Sequence, residues 1–425
     1  MTAAAEAPAS REERRALAAA AAAHFCLLCG YYMLRPIREA LANQAGVRNN
    51  FELFATVLVV TSVLLPIYWR VVARTPRGRL LWYVGIPFTA VFLALFAGLR
   101  VDPGNSALAY AYFVALSSAN FLLVSVFWSA MSDVWRPALA KRFYGYVAAG
   151  GSAGALLGPF IVTATVRDIG PAPLIVVACG FILATAALVS LSRGALRRCA
   201  GGEAVPDGAL PVGGRARDDL ARLARSPYLL GIVALIVTGQ IIGAFMYNEQ
   251  QKVALAAYPV LADRAAFFGK MEIAVNLVAL FFQAVIVTWL TRRGSVALSL
   301  SAMPVVVGGS FVVLALFPVA SVFLATQVLR RASDYGLGKP PREMLFTVLN
   351  PESKFKSKSL IDTVFTRASD ALGQALYLVA GALGMVGLAW LGAVLCIALL
   401  AATRLLGRAF ETRRSGDAGS AERPA

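Results

Sequence analysis

The chain is short of charge. Only 15% of its 425 residues are charged, where a soluble domain carries about 25%, and that deficit excludes an ordinary water-facing surface. Histidine is almost absent, with His24 the single copy. One histidine supplies neither a metal cluster nor a base beside a nucleophile, so no enzyme and no cofactor are expected. The five cysteines are Cys26, Cys29, Cys179, Cys199 and Cys396. Four fall inside long apolar runs and Cys199 in a basic stretch, so disulfides are not expected. Cys26 and Cys29 have metal-like spacing but no second pair to complete a site, and they read as small packing residues.

Apolar residues are abundant: 59% of the chain is hydrophobic and the mean hydropathy is +0.69. A helix needs roughly 20 apolar residues to cross a hydrocarbon core of ~30 Å. About a dozen runs are that long, at 16–34, 51–73, 80–99, 106–131, 143–166, 171–192, 227–247, 266–290, 295–317, 319–338, 359–381 and 383–403. The first continues to Leu34 from a short charged segment and reads as a retained helix rather than a signal peptide. So many spans leave only short connections and no room for a large soluble domain.

The formal net charge of +17 would suggest a polyanionic partner in a soluble protein. Here it follows loop order instead. Arg11, Arg14 and Arg15, then Arg70 to Arg79, then Arg136, Lys141 and Arg142 mark one side. Arg193 to Arg225, Arg292 and Arg293, the run from Lys339 to Lys358, and the tail from Arg404 to Arg423 continue it. The opposite connections hold far fewer: Arg35, Arg38, Arg48, Arg100, Arg167, Lys252 and Arg264. Positive loops stay on the cytoplasmic side, so both termini are expected there, which requires an even number of spans. No nucleic-acid partner is expected.

The longest polar stretch, Arg193 to Ser226, is rich in Gly, Pro and Arg and reads as a linker. It divides the chain into 1–192, an N-terminal six-helix bundle, the linker 193–226, and 227–425, a C-terminal six-helix bundle with a cytoplasmic tail. Weak likeness between Tyr32–Ala42 and Tyr247–Ala256 fits related halves. The expected fold class is an all-α membrane protein of about twelve transmembrane helices in two six-helix bundles, the major-facilitator arrangement, in which substrate binds near mid-membrane.

A charge at bilayer depth costs at least ~2.5–3.5 kcal/mol on insertion scales and normally faces a cavity or a partner. The candidate substrate-binding residues are therefore the polar side chains inside or closing the spans. They are Arg35 and Arg38 at the end of the first, Asn120 and Asp133 in the fourth, and Glu249 closing the seventh. Lys270, Glu272 and Asn276 follow in the eighth, Arg330 and Arg331 in the tenth, and Arg367 and Asp370 in the eleventh. The last two, spaced i,i+3, can neutralise each other. The competing structural reading makes such pairs locks between helices, with Arg35, Arg38 and Lys252 snorkelling to headgroups. Adjacent Arg330 and Arg331 point in different directions from one helix, so at least one is expected to face water. Arginine forks in a cavity favour phosphate or carboxylate. The glycine-rich run Gly145–Pro159 lacks the Gly-Lys-Ser/Thr ending of a phosphate loop. Its glycines 150, 154 and 158 share one helix face and predict close approach of a neighbouring helix.

The stretch Lys339–Asp362 resembles the corresponding loop of the ATP/ADP translocases of plastids and intracellular bacteria and of their bacterial relatives. The step Arg342-Glu343-Met344, the ladder Pro351-Glu352 with Lys354, Lys356 and Lys358, and Ile361-Asp362 before Arg367 carry the likeness. Leu34-Arg35-x-x-Arg38-Glu39 and Phe127-Trp128 with Asp133 add to it. The resemblance implies a nucleotide exchanger in a bacterial inner membrane, with Arg38 and Asp133 where the translocases carry lysine and glutamate. Asp370 stands where they carry a basic residue, which disfavours a triphosphate. The function expected is secondary transport of an organic or phosphorylated anion, with a small-molecule anion and membrane lipid as partners and a monomer compatible. The alternative is a non-transporting protein that binds a partner or anionic lipid through its basic face, where each surface Lys contributes about 1 kcal/mol.

Overall fold

The computed structural model describes residues 10–45, 50–75, 79–134, 137–199, 225–292, 296–348 and 361–421. Every regular element among them is helical. In chain order they are α1 (Arg11–Ala42), α2 (Asn50–Arg74), α3 (Leu80–Val101), α4 (Ser106–Val134), α5 (Pro137–Ile169) and α6 (Pro171–Cys199). Next come α7 (Pro227–Ala257) and α8 (Leu261–Phe281), the latter running through a π-helical stretch, Phe282–Val287, to Thr288–Arg292. After α9 (Val296–Leu316), α10 (Ala320–Ser333) continues through a second π stretch, Asp334–Gly338, to Lys339–Leu345. A third, Ile361–Phe365, leads into α11 (Thr366–Ala380), and a 3-10 turn, Gly381–Leu383, separates it from α12 (Gly384–Ala421).

Ten helical stretches among the described residues are long and apolar enough to cross a membrane, and one of these, Ile361–Arg413, contains both α11 and α12. The remaining pass is α10, made polar by Gln327, Arg330 and Arg331. All twelve spans expected from the sequence are present. Their outer faces are apolar: Val59, Val63 and Ile67 on α2, and Trp390, Val394 and Ile397 on α12, are exposed. That is an integral membrane protein's surface.

Two compact units emerge. The first comprises Met1–Gly46, Val63–Pro211 and Val260–Ile273, and the second Val47–Ser62, Val212–Pro259 and Ala274–Ala425. The early part of α2 thus belongs to the second unit and the early part of α8 to the first. Of the linker expected at 193–226, residues 200–224 lie outside the described residues.

In the first unit α1 packs on α4, α5 and α6, and α3 on α4 and α6. In the second, α7 packs on α10, α11 and α12, and α9 on α10 and α12. Each pairing recurs six helices later, the structural counterpart of the weak internal sequence likeness. The glycine face of α5 behaves as its spacing predicts. A Cβ at Gly150, Gly154 or Gly158 would run into the carbonyl oxygens of Ala21, Phe25 and Cys29 on α1. Across α1, a Cβ at Gly30 would sit 2.8 Å from the Ala178 carbonyl of α6. Backbones this close exchange large side chains for dense packing along the whole contact. Cys29 is fully buried there, a packing residue as its environment dictates.

Helix ends differ from the sequence expectation in one respect that bears on the site. A capping box at Ser10 and Glu13 starts α1, and the helix continues through Pro36 to Ala42. Proline removes one backbone bond but not the helix, because neighbouring helices in a membrane protein support the freed group. Arg35, Arg38 and Glu39 therefore lie in the final turns of α1, Glu39 buried and both arginines half-buried. In the same way Glu249 and Lys252 lie within α7, which ends only at Ala257.

Candidate functional site

In the second unit, polar side chains from α7 meet those of α10 and α11 in three relays. Nearest the N-terminal end of α7, Gln240 Nε2 donates to Asp370 Oδ1 at 2.6 Å, and Asp370 Oδ2 accepts from Arg367 Nη1 at 3.2 Å. Arg367 and Asp370 pair across one helical turn, as their spacing predicts. Two turns further along α7, Asn248 Nδ2 donates to Gln374 Oε1 at 2.6 Å, while Asn248 Oδ1 accepts from Asn50 Nδ2 at 2.7 Å. Toward α10, Gln327 Nε2 donates to Gln250 Oε1 at 2.5 Å and Gln327 Oε1 accepts from Arg330 Nε at 2.9 Å. Arg330 passes over Gly243, where a Cβ would sit 3.2 Å from its Nη1. Arg331, next to it, is buried. The adjacent arginines differ in burial, as two neighbours on one helix must.

Glu249 forms a fourth knot. Its Oε1 accepts from Tyr377 Oη and from Lys252 Nζ, the latter at 2.9 Å. The Lys252 ammonium also lies 5.2 Å from the Tyr377 ring centre, within cation–π range. On its other side Glu249 borders a small apolar cavity lined by Ile242, Phe245, Met246, Phe311 and Phe323 among others. A second cavity lies beside Gln240, with Asp334 and Arg342 in its wall.

In the first unit Arg35 Nε lies 3.4 Å from Glu272 Oε1, with side chains 13% and 1% exposed. Arg38 pairs with Glu39, donates to Ser117 Oγ at 3.1 Å and covers the Phe113 ring at 5.1 Å. Snorkelling to headgroups is thus not what Arg35 and Arg38 do: carboxylates and rings hold both inside the unit. Lys252, 60% exposed along its side chain, keeps that freedom. Of the other expected residues, Lys270 is exposed on α8, while Asn120 on α4 and Asn276 on α8 are half-buried. The side chain of Asp133 lies outside the described residues, as does the ladder of Lys354, Lys356 and Lys358.

The structure therefore joins Arg330, Arg367 and Asp370 to α7 and Glu249 of α7 to α11 within one unit, and Arg35 to Glu272 within the other. What the sequence reading missed are the uncharged members: Gln240, Asn248, Gln250, Gln327, Gln374 and Tyr377. Their signal was available. Asn248-Glu249-Gln250-Gln251 is four polar residues in succession inside an apolar span, and all four are buried. Buried amides at membrane depth survive only when bonded to one another, which is the arrangement found.

No family model matches the chain, and no curated protein does. Solved structures do. A peptide transporter POT in complex with sulfate aligns with a TM-score of 0.63 at 14% identity, covering 93% of this chain and 95% of that one. A bacterial homologue of the iron transporter ferroportin in an inward-facing state aligns at 0.61 and 14% identity, covering 95% and 98%. A bacterial homologue of the lysosomal transporter Spinster aligns at 0.52 and 12%, covering 96% and 95%. The fold is of the major-facilitator type. At these identities the likeness is one of fold, and the major-facilitator frame accounts for the recurrence of helix pairings after six helices. In the first unit, α1 and α4 carry the polar cluster of Arg35, Arg38 and Ser117.

Proposed function

We propose that this chain is a secondary transporter that carries a small organic or phosphorylated anion across a membrane by alternating access. The observation that carries the reading is the largely buried polar network of the second unit, where Arg330, Arg331, Arg367, Asp370 and Glu249 share three helices with five amides and a tyrosine. A protein that merely anchored in the membrane would fill these positions with apolar residues, because charge there is costly. Guanidinium groups held in place by Gln327 and Asp370 offer directed forks to carboxylate or phosphate oxygens. The fold's repeated six-helix design is that of carriers that work by alternating access.

The resemblance to the ATP/ADP translocases makes exchange of a phosphorylated metabolite the mode favoured, in a bacterial inner membrane with both termini cytoplasmic. Asp370, which engages both Gln240 and Arg367, weighs against a nucleoside triphosphate: its charge opposes a fourfold negative ligand. Vesicles reconstituted with the protein and loaded with a panel of nucleotides and organic anions provide the test. Counterflow of a labelled member of that panel is expected, and a flat response across the panel rejects the anion reading.

A further inference from the structure

The cavity beside Gln240 has a feature that the anion reading does not use. Its wall is Leu235, Ile236, Leu300 and Met303, with one carboxylate, Asp334, and one guanidinium, Arg342. Among the described residues neither side chain has a hydrogen-bond or ion-pair partner, and the two do not pair with each other. They are eight residues apart on α10, roughly 12 Å along a helix rising ~1.5 Å per residue. The π-helical turn Asp334–Gly338 lies between them. Such wide turns are uncommon and recur at functional sites. Gln283 Nε2 from the π stretch of α8 donates to the Tyr335 carbonyl at 3.1 Å, tying the two π stretches together.

An acid and a base that face one half-buried cavity without meeting leave two opposite charges available to a ligand that bridges them. Gln240 and Thr403 add neutral donors and acceptors to the same wall. Because Gln240 also bonds Asp370, the cavity adjoins the Arg367–Asp370 pair. The geometry points to a zwitterion-binding subsite: a ligand whose ammonium meets Asp334 and whose carboxylate or phosphate meets Arg342, its carbon skeleton against Leu235 and Met303. This rests on the transporter reading and narrows it, making the cargo an amino-bearing acid rather than a polyanion.

The test is the thermal stability of the purified full-length protein with amino acids and small dipeptides, with the N-acetyl form of each, and with ADP and inorganic phosphate. A ligand that binds only the folded form raises apparent stability. At least one free-amine compound is expected to do so. Acetylation should weaken its binding at least roughly tenfold, as expected for losing a charge-assisted bond. Asp334→Asn and Arg342→Gln should each abolish the response while melting, ligand-free, close to the parent. An unchanged response after acetylation, or in Asp334→Asn, overturns the proposal. So does a response confined to ADP or phosphate, which would leave the anion carrier standing. Silence from every compound overturns the subsite, and only silence in counterflow as well removes the carrier.

Discussion

Consider the replacement Glu272→Gln. Glu272 is 1% exposed along its side chain, and the Arg35 guanidinium that faces it across 3.4 Å is 13% exposed. Neither group can recover bulk water in place, so Arg35 loses a buried counter-charge. Removing one member of a buried pair costs about 3–5 kcal/mol, chiefly through the charge left behind. Arg35→Met should cost a similar amount by stranding Glu272. The double variant Arg35→Met with Glu272→Leu exchanges the pair for apolar contacts and, on the same reasoning, should recover most of the loss. The pair would then show a coupling of at least about 2 kcal/mol. Unfolding of the detergent-solubilised protein, monitored for wild type, both single variants and the double, closes the cycle. Additive losses would show that the two residues do not act on each other, and the ion-pair description of the first unit would be wrong.

Other consequences are equally specific. Gly154→Leu drives a side chain into the Phe25 carbonyl of α1 and should destabilise by about 1–3 kcal/mol or prevent folding, seen as loss of monodisperse protein in size-exclusion chromatography. Gly384 has φ 65° and ψ −178°, a region open in practice to glycine alone, so Gly384→Ala should cost about 1–3 kcal/mol in thermal unfolding. Tyr377→Phe removes a hydrogen bond to the Glu249 carboxylate and should cost about 1.5–3 kcal/mol, whereas Lys252→Met, at a side chain 60% exposed, should cost less than half of that. Equal losses from the two would mean that Glu249 relies on Lys252 more than its exposure allows.

The sequence was most informative where membrane physics is strict. Spans of roughly twenty apolar residues cannot be anything but helices, and the twelve helices coincide with the runs read from hydropathy. Glycines 150, 154 and 158 announced a helix–helix contact because four-residue spacing admits no other face. Arg367 and Asp370 announced their own pairing for the same reason. Partners distant in sequence were not legible: nothing near Arg35 names Glu272, and nothing near Asp370 names Gln240. α1 and α7 run past the apolar runs that mark them, to Ala42 and Ala257, because an apolar run stops at the first polar residues whether or not the helix does. In a protein-lined membrane interior, neighbouring helices satisfy what proline frees and what amides demand. Gln240, Asn248, Gln250, Gln327 and Gln374 carry no charge to mark them in the sequence, although among the described residues they tie α7 to α10 and α11.

The central claim is that the guanidinium groups anchored on α10 and α11 bind the cargo. Exchange in vesicles containing equal amounts of folded wild type, Arg330→Gln and Arg367→Gln measures it most directly. The account predicts robust counterflow of an anion-bearing solute by wild type and at least roughly tenfold slower counterflow by each variant, since each loses a charge-assisted contact of about 1.5–3 kcal/mol. Wild-type rates in both variants would contradict it.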